Sequence, residues 1–337
     1  MATILLASSL AVNASEIERP LIDGAPYIKP SRLVKVDGDR KLNLYCLGEG
    51  SPTIIFESGL TEPINNWGWV QPSIAKSTKA CSYDRAGVGF SDPLTRPATS
   101  ENIVDDLYRL LKTAKIQPPY VLVGHSTGGL SARLFAHTYP DEVVAMVLVD
   151  PSDENQVTES RKLNPSKTQS EWQSELNAFI QTQKDCLNQA KLGFVEGTEI
   201  HTKCKFEQYK QLSNAVQVAT DQFQMRLPFW QAQVSELENF FLTSEEQLRK
   251  ARRSFGDIPL IVLTESKVPP EEISTKARAE WQARYDLWKK LHVEQSKLSR
   301  RGIQKVVPGA GHHIMLDKPE AVEEAINQVL KMLDTKN

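Results

Sequence analysis

One serine stands where a nucleophile would be expected, in the segment GHSTG at residues 124–128. The segment directly follows an apolar run, Tyr120–Val123, and precedes a stretch of helical character that begins near Gly128. A serine between a strand and a helix sits on a tight turn, where small neighbours let the backbone approach closely and the hydroxyl projects clear of the sheet. The N-terminus of the helix favours negative charge that develops beside it. The pattern therefore predicts Ser126 as a nucleophile, and a structural turn with a bystander serine is the simpler alternative.

A histidine near the end of the chain could activate this serine. A serine hydroxyl is a poor nucleophile at its ordinary pKa and needs an adjacent base, and histidine is the side chain suited to that role near neutral pH. His312 follows a predicted strand, Gln304–Val307, and a glycine-containing turn, so it could reach back to the edge of the sheet that carries Ser126. Its neighbour His313 should point elsewhere. We therefore predict His312 as the base.

Strands and helices alternate on both sides of a central helical segment. The predicted strands are Arg32–Val36, Lys41–Leu47, Thr53–Glu57, Lys79–Tyr83, Tyr120–Val123, Val143–Val149, Ile258–Thr264 and Gln304–Val307. Helical periodicity is expected over residues 100–114, 128–137 and 271–300, and from Pro319 onward. Such alternation predicts an α/β fold with a mostly parallel central sheet flanked by helices.

The central segment, from about Asp153 to Ser254, offers no convincing strand. Amphipathic helical stretches such as Glu171–Gln183 and Phe206–Gln224 predominate there. We expect this insertion to cover the carboxyl ends of the strands, where open α/β sheets bind ligands. The predicted organisation is a core at 15–152 and 255–337, a helical cap or lid at 153–254, and a signal peptide at 1–14.

The composition of the 337-residue chain is that of an ordinary globular protein, with 40% hydrophobic and 24% charged residues. A formal net charge of −2 gives no sign of the basic surface typical of nucleic-acid binding, and no apolar run is long enough for a transmembrane helix. The run Ile4–Val12 followed by Ala14 fits a signal peptide, although no Lys or Arg precedes it. A periplasmic or secreted location is therefore expected, and a cytoplasmic one if this segment is not a signal. The sequence gives no indication of the oligomeric state.

Five stretches give the chain a resemblance to the α/β-hydrolase fold superfamily. They are FESGL at 56–60, SYDRAGVGFSD at 82–92, VLVGHSTGG at 121–129, VLVDPS at 147–152 and GHHIMLDKPEAV at 311–322. The resemblance covers about residues 33–152 and 255–335 and implies that Ser126 occupies the nucleophile elbow. Within the superfamily the chain is similar to the branch with a helical cap, which holds esterases, haloperoxidases, epoxide hydrolases and dehalogenases. The last two classes use an aspartate at the elbow, so Ser126 counts against both.

The resemblance leaves two candidates for the acid that orients the base. Most relatives place it after the strand that follows the cap, here Pro259–Thr264, where Glu265 is the nearest carboxyl group. Asp150 instead ends the strand Val143–Val149, an arrangement similar to that of pancreatic-type lipases, and it is the preferred candidate. Asp150 could also be only a turn-capping residue before a proline. Asp257 is a remote third choice because it precedes its strand.

The resemblance also implies an oxyanion hole made of two backbone N–H groups. Thr127, directly after the nucleophile, would supply one of them. Leu60 would supply the other from the loop at 57–60, which is similar to the His-Gly-x pattern of relatives except that Ser58 replaces the histidine. A plain turn after a strand is the alternative interpretation of this loop.

Four cysteines allow three disulfide pairings in an exported chain, or four buried thiols in a cytosolic one. The fold implied by the resemblance sets the strand of Cys46 beside the strand of Cys81, so we expect these two to be bonded. Cys186 and Cys204 both lie in the cap, where a second bridge could join two helices. None of the four has the Cys/His spacing of a zinc site.

These features predict a serine hydrolase, most directly a carboxylic-ester hydrolase that forms an acyl-enzyme on Ser126. The same residues would serve a cofactor-free perhydrolase, an amidase, a lactonase or a C–C hydrolase. A non-catalytic protein could also use the pocket to hold a small ligand. The expected partner is a small-molecule ester or related acyl compound, with no cofactor, metal or nucleic acid.

Overall fold

The computed structural model describes residues 19–266, 268–269 and 272–334. The predicted signal peptide at 1–14 lies outside the described residues. One sheet of eight strands runs through the molecule in the order β1-β2-β4-β3-β5-β6-β7-β8. The strands are β1 Leu33–Asp37, β2 Arg40–Leu47, β3 Thr53–Glu57, β4 Ala80–Tyr83, β5 Tyr120–His125, β6 Val143–Val149, β7 Leu260–Thr264 and β8 Gly302–Val306.

The sheet is parallel from β4 through β8 and antiparallel only where β2 pairs with β1 and with β4. Its central strands β3, β5 and β7 are buried along their whole length, as expected for strands covered on both faces. The predicted strands are all present, with boundaries within two residues of the expected ones. Strand β5 extends to His125 because Gly124 and His125 continue the ladder with β6, which their residue types do not suggest.

Helices cover both faces of the sheet. They are α1 Ala25–Ile28, α2 Val70–Ile74, α3 Ser100–Ala114, α4 Gly128–Thr138, α5 Gln156–Lys162, α6 Gln169–Leu192, α7 Glu199–Cys204, α8 Asn214–Gln224, α9 Leu227–Asn239, α10 Glu245–Ala251, α11 Thr275–Ser296, α12 Ile314–Asp317 and α13 Pro319–Asp334. Helices α3 and α4 pack on one face, and α2 and α13 on the other. In α13 the buried side chains follow the 3, 4, 7 spacing of an apolar stripe: Val322, Ala325, Ile326 and Val329. The prediction of an α/β fold with a mostly parallel sheet is confirmed.

The insertion between β6 and β7 is built from helices α5 to α10. No strand occurs in residues 153–254, whose backbone is described throughout. The predicted helix over Phe206–Gln224 is wrong in its first half, because only α8 is helical. Residues 205–213 run as irregular chain, and Ile22 donates its N–H to the Gln211 carbonyl at 2.8 Å and accepts from the Ser213 N–H at 2.9 Å. The Ser213 side chain then accepts from the N–H of Val216, and this N-cap starts α8 where it does.

The insertion is joined to the core through a buried ion-pair group around Arg85. The guanidinium donates to Glu57 Oε1 at 2.7 Å on β3 and to Glu236 Oε2 at 2.8 Å on α9. Glu236 also accepts from the backbone N–H of Thr61 at 3.1 Å. All three charged side chains are at most 5% exposed. Helix α9 is therefore anchored beside the loop that follows β3.

Both expected disulfides are present. Cys46 and Cys81 face each other across the β2–β4 pair, with their Cα atoms 4.1 Å apart. Cys186 of α6 is bonded to Cys204 of α7, with a Cα separation of 5.7 Å, and the pair packs with buried aromatic side chains of α8 and α9. Among the described residues, none of the helices has both the length and the apolar character needed to cross a bilayer.

We expect the double substitution Cys186→Ala and Cys204→Ala to lower the free energy of unfolding by about 3 kcal/mol, because the bridge closes a loop of 18 residues in the unfolded chain. Urea unfolding of the oxidised protein and of the variant measures the difference. Thiol titration of the denatured wild type should find no free thiol. An equal stability of the two proteins would contradict this prediction.

Candidate active site

Ser126 lies on the turn between β5 and α4 and has a left-handed backbone, with φ of 51°. Such a conformation is uncommon outside glycine and marks a constrained position. The turn is packed tightly on both sides. A Cβ on Gly128 would lie 2.4 Å from the carbonyl oxygen of Ser58, and one on Gly129 would lie 2.5 Å from Pro151. The predicted strand–turn–helix setting of Ser126 is thus present, and it lies directly against the loops after β3 and β6.

Ser126 and His312 are hydrogen-bonded. The serine Oγ lies 3.0 Å from His312 Nε2, so the hydroxyl can donate its proton to the ring. The histidine is presented by the loop between β8 and α12, on the same edge of the sheet as the serine. The structure therefore brings together the predicted nucleophile and the predicted base, and it directs His313 away from Ser126 towards Glu62.

Asp150 completes a hydrogen-bonded chain. It follows β6, is 0% exposed, and accepts from His312 Nδ1 through Oδ2 at 2.6 Å. Its other oxygen, Oδ1, accepts from Trp288 Nε1 and from the backbone N–H of Glu265, both at 2.9 Å. Asp150 is thus the carboxylate that is hydrogen-bonded to His312, while Glu265 donates a backbone N–H to Asp150. Asp257, the third candidate, pairs with Arg300 at the surface.

The negative charge of Asp150 and the positive charge of protonated His312 stabilise each other. Burial would raise the pKa of Asp150, but the hydrogen bond and the charge of His312 outweigh burial and lower it below its usual range. Burial alone would lower the pKa of His312, but the hydrogen bond and the negative charge of Asp150 raise it above its ordinary value of 6.5. The two N–H donors on Oδ1 replace water around the buried carboxylate. Asp150 is therefore ionised, and His312 is a stronger base than a free imidazole.

Another buried histidine supports the loop that carries Asp150. His292 on α11 accepts from Thr264 Oγ1 at 2.8 Å through Nδ1, and its Nε2 lies 2.9 Å from the carbonyl oxygen of Pro151. Burial lowers the pKa of His292 to about 4. The ring therefore stays neutral at physiological pH and donates one N–H to the loop without adding a charge beside Asp150.

The backbone N–H groups of Leu60 and Thr127 have the features expected of an oxyanion hole. Within the described residues, neither N–H has a hydrogen-bond acceptor, so both are available to a ligand. The loop that carries Leu60 is held in place, because Ser58 accepts from Trp67 Nε1 at 3.0 Å and its carbonyl accepts from Arg85. The side chain and the carbonyl of Ser58 therefore both help to fix this loop.

A cavity of about 290 Å³ opens onto these groups. Its wall contains Leu60, Ser126 and His312 together with several polar side chains from the loop after β3 and from the insertion. These polar residues are Asn65, Asn66, Gln208, Tyr209, Thr220 and Gln224. The Asn66 side chain is fully buried, and neither of its polar atoms has a hydrogen-bond partner within the described residues.

A second polar cluster lies next to the first. Glu62 Oε2 lies 2.9 Å from His125 Nδ1, and Glu62 Oε1 lies 2.8 Å from His313 Nε2. Burial would raise the pKa of Glu62, but the two histidines outweigh burial and hold it well below its usual range. Among the described residues, these three side chains form a group whose ligating atoms lie close enough to share a metal ion, all within 4.8 Å of one another.

Sequence reasoning did not identify Trp288 or Glu62. Trp288 lies on a charged helix nearly 140 positions after Asp150, and no local motif links the two. Glu62 stands in a loop of irregular composition. Its one available signal is its position two residues after the predicted oxyanion donor Leu60, because such loops carry functional side chains more often than their length suggests.

Comparisons with known proteins agree with this architecture. At 32% identity over 117 residues, the uncharacterized protein YqjL of Bacillus subtilis matches 35% of this chain and 46% of its own length, so the match spans less than half of that relative. The AB hydrolase superfamily protein of Gibberella zeae is 24% identical over 307 residues, which cover 84% of this chain and 87% of that protein. A thermophilic esterase from Thermogutta terrifontis has a similar structure, with a TM-score of 0.55 at 17% identity over 89% of this chain and 98% of its own, a likeness that concerns the fold alone.

The sequence profile of the alpha/beta hydrolase fold matches residues 52–319, which is most of the chain. This range includes all the strands from β3 to β8, the turn at Ser126 and the loop of His312. The chain therefore belongs to the alpha/beta hydrolase fold family.

Proposed function

We propose that the chain is a serine hydrolase that cleaves carboxylic esters through an acyl-enzyme on Ser126. One observation carries the proposal: Ser126 Oγ, the His312 ring and the Asp150 carboxylate form a continuous hydrogen-bonded chain, with distances of 3.0 and 2.6 Å. This is the geometry that acyl transfer by a serine requires, with the nucleophile bonded to its base and the base oriented by an acid.

The reaction proceeds in two stages. As Ser126 Oγ attacks the ester carbonyl, His312 Nε2 takes the hydroxyl proton and then gives it to the departing alcohol oxygen. The C–O bond to the alcohol breaks and leaves the acyl group on Oγ. Water then attacks the acyl-enzyme, with His312 again as the base, and the acid product leaves with Ser126 restored. Asp150 stays ionised throughout and stabilises the imidazolium form of His312.

The free N–H groups of Leu60 and Thr127 support the same chemistry. Each can donate to the carbonyl oxygen as it becomes an oxyanion, and each such donor contributes about 3–4 kcal/mol to transition-state stabilisation. The left-handed φ values of Ser126 and Asp150, 51° and 43°, also favour an enzyme over a passive binding protein. Backbone strain of this kind costs of order 1–3 kcal/mol per residue and clusters at active sites.

The cavity favours a small ester over a long-chain lipid. Its volume of about 290 Å³ is at the small end of ligand pockets, which run from roughly 300 to 1,000 Å³. Buried polar groups are normally paired, and the Asn66 amide has no partner among the described residues. It lies behind the cavity surface with 0% exposure, so a substrate group reaches it only when neighbouring wall side chains shift. We therefore propose a substrate with a short acyl group and a polar substituent that Asn66 can bind.

We expect Ser126→Ala to lower kcat/KM for p-nitrophenyl butyrate by about 10⁴-fold or more and Asp150→Asn by about 10⁴-fold, because the first removes the nucleophile and the second the orienting charge. Glu265→Gln is the matched control, and its kcat/KM should stay within about threefold of the wild-type value, because Glu265 donates to Asp150 through its backbone N–H. Full activity of Ser126→Ala would exclude the proposed mechanism. Collapse of Glu265→Gln with an active Asp150→Asn would reassign the acid.

The pH dependence of kcat/KM should follow the protonation of His312. Because the base must be neutral, activity should rise with pH through an inflection above 6.5, where Asp150 has moved the pKa of His312. Asp150→Asn removes the negative charge that raises the pKa of His312, while burial still lowers it. The pKa of His312 should therefore be lower in this variant than in the wild type. A pH–rate profile of the wild type and an NMR titration of the histidine rings in both proteins test this. An inflection below 6.5, or a pKa that rises in Asp150→Asn, would contradict it.

Acyl-chain preference should reflect the cavity. We expect kcat/KM to be roughly tenfold or more higher for p-nitrophenyl acetate and butyrate than for the laurate, because a long chain exceeds the cavity. Asn66→Leu has a side chain of similar volume and removes the unpaired amide, so it should shift the preference towards apolar acyl groups. A wild type that prefers laurate, or an Asn66→Leu variant with an unchanged profile, would overturn the proposal of a small polar substrate.

A further inference from the structure

The cluster of Glu62, His125 and His313 takes no part in the acyl-transfer steps above. It joins three segments: the loop after β3, the last residue of β5, and the loop between β8 and α12. Glu62 bridges the two rings, and its Oε2 also accepts from the backbone N–H of Gly59 at 2.9 Å. The contacts of this cluster include more hydrogen-bond acceptors than neutral histidine rings can supply with N–H donors.

The mismatch is clearest at His125, whose ring is 0% exposed. Its Nδ1 lies 2.9 Å from Glu62 Oε2, and its Nε2 lies 3.0 Å from the carbonyl oxygen of His312. Both neighbours are acceptors, whereas a neutral imidazole carries a single N–H. With Nε2–H donated to the carbonyl, Nδ1 directs its lone pair at a carboxylate oxygen. A positive ion between the two groups, either a second proton or a metal ion, resolves this contact.

The cluster is also a suitable set of metal ligands. Two imidazoles and a carboxylate are the donors that zinc uses when one coordination position stays open. In a tetrahedral site with bonds of about 2.0–2.1 Å, neighbouring donor atoms lie roughly 3.3–3.4 Å apart. The ligating atoms here lie within 4.8 Å of one another, with N–O distances of 2.8 and 2.9 Å, so small side-chain shifts would suffice.

The surroundings match those of metal-binding histidines. A ligating histidine usually donates its other ring N–H to a backbone carbonyl or a carboxylate, and His125 Nε2 faces the His312 carbonyl in this way. Glu62 and His313 line the 290 Å³ cavity, which gives an ion a route in and room for a water as fourth ligand. The Tyr209 hydroxyl, 2.7 Å from His313 Nε2, is the nearest further polar group on that side.

We propose that Glu62, His125 and His313 form a binding site for a zinc-class divalent cation, with Glu62 Oε1 or Oε2, His125 Nδ1 and His313 Nε2 as ligands. The ion would connect the loop after β3, the end of β5 next to Ser126, and the loop between β8 and α12. The ester chemistry proposed above routes no step through this ion. The inference therefore stands or falls independently of the proposed function.

Calorimetric titration of ZnCl₂ into tag-free, chelator-treated full-length protein near neutral pH tests the site. We expect uptake of one ion per chain and a higher melting temperature, because an ion that binds the folded state stabilises it. His313→Ala should weaken binding by at least about tenfold, because loss of a direct ligand costs no less than loss of a group that only orients one. His201→Ala, which changes a histidine of α7 outside the cluster, is the matched control and should bind as the wild type does. MgCl₂ should not compete, because hard cations prefer oxygen ligands.

A second variant and a spectroscopic readout guard against a folding defect. Glu62→Gln keeps the side-chain shape and should also weaken binding, with circular dichroism to check that both variants are folded. X-ray absorption of the zinc-loaded protein should show imidazole nitrogens at about 2.0–2.1 Å. Absence of stoichiometric uptake, uptake unchanged in folded His313→Ala, or a zinc shell without imidazole would overturn the proposal. Loss of uptake in Asp150→Asn but not in His313→Ala would place the ion elsewhere and overturn it as well.

Discussion

The turn at Ser126 has no room for a side chain on its helical side, and the loops around it are placed by this steric limit. A Cβ on Gly128 would lie within 2.5 Å of the carbonyl oxygens of Glu57 and Ser58, and one on Gly129 would lie 2.5 Å from Pro151. Any Cβ at these two positions would push the β3 and β6 loops outward. Because those loops carry Leu60 and Asp150, close contact with the turn limits how far these two residues can lie from Ser126.

The second condition is that a carboxylate can stay charged where water does not reach it. Asp150 is 0% exposed, and its oxygens are satisfied by His312, Trp288 and the N–H of Glu265. An isolated buried carboxylate would take up a proton instead. Helix α11 therefore helps to keep Asp150 charged, through the Trp288 N–H, although it contributes no group to the cavity that holds Ser126.

Local sequence patterns were enough to predict most of the fold and two residues of the candidate site, Ser126 and His312. The strands could be predicted because buried parallel strands are continuous apolar runs, and Ser126 and His312 because each stands in a short motif next to such a run. The choice between Asp150 and Glu265 could not be made locally, since it depends on how Trp288 and the β7 loop pack around one carboxylate. The irregular path of residues 205–213 depends likewise on hydrogen bonds to Ile22, which lies almost 190 residues earlier. Glu62 was missed because its partners, His125 and His313, meet it only after folding.

The Arg85 group has a consequence for how molecules reach the cavity. Detaching α9 from the core would separate Arg85 from Glu236, each only 5% exposed, and would remove the acceptor of the Thr61 N–H. Leaving a buried charge without its partner costs about 3–5 kcal/mol, so a state in which Arg85 and Glu236 are separated but still buried would be populated in roughly one molecule in 150 or fewer. Helix α9, which contributes Phe229 to the cavity wall, is therefore held against the core while molecules enter and leave. The neighbouring stretch Phe206–Tyr209 packs on α9 through Phe206 and contacts His313 through the Tyr209 hydroxyl.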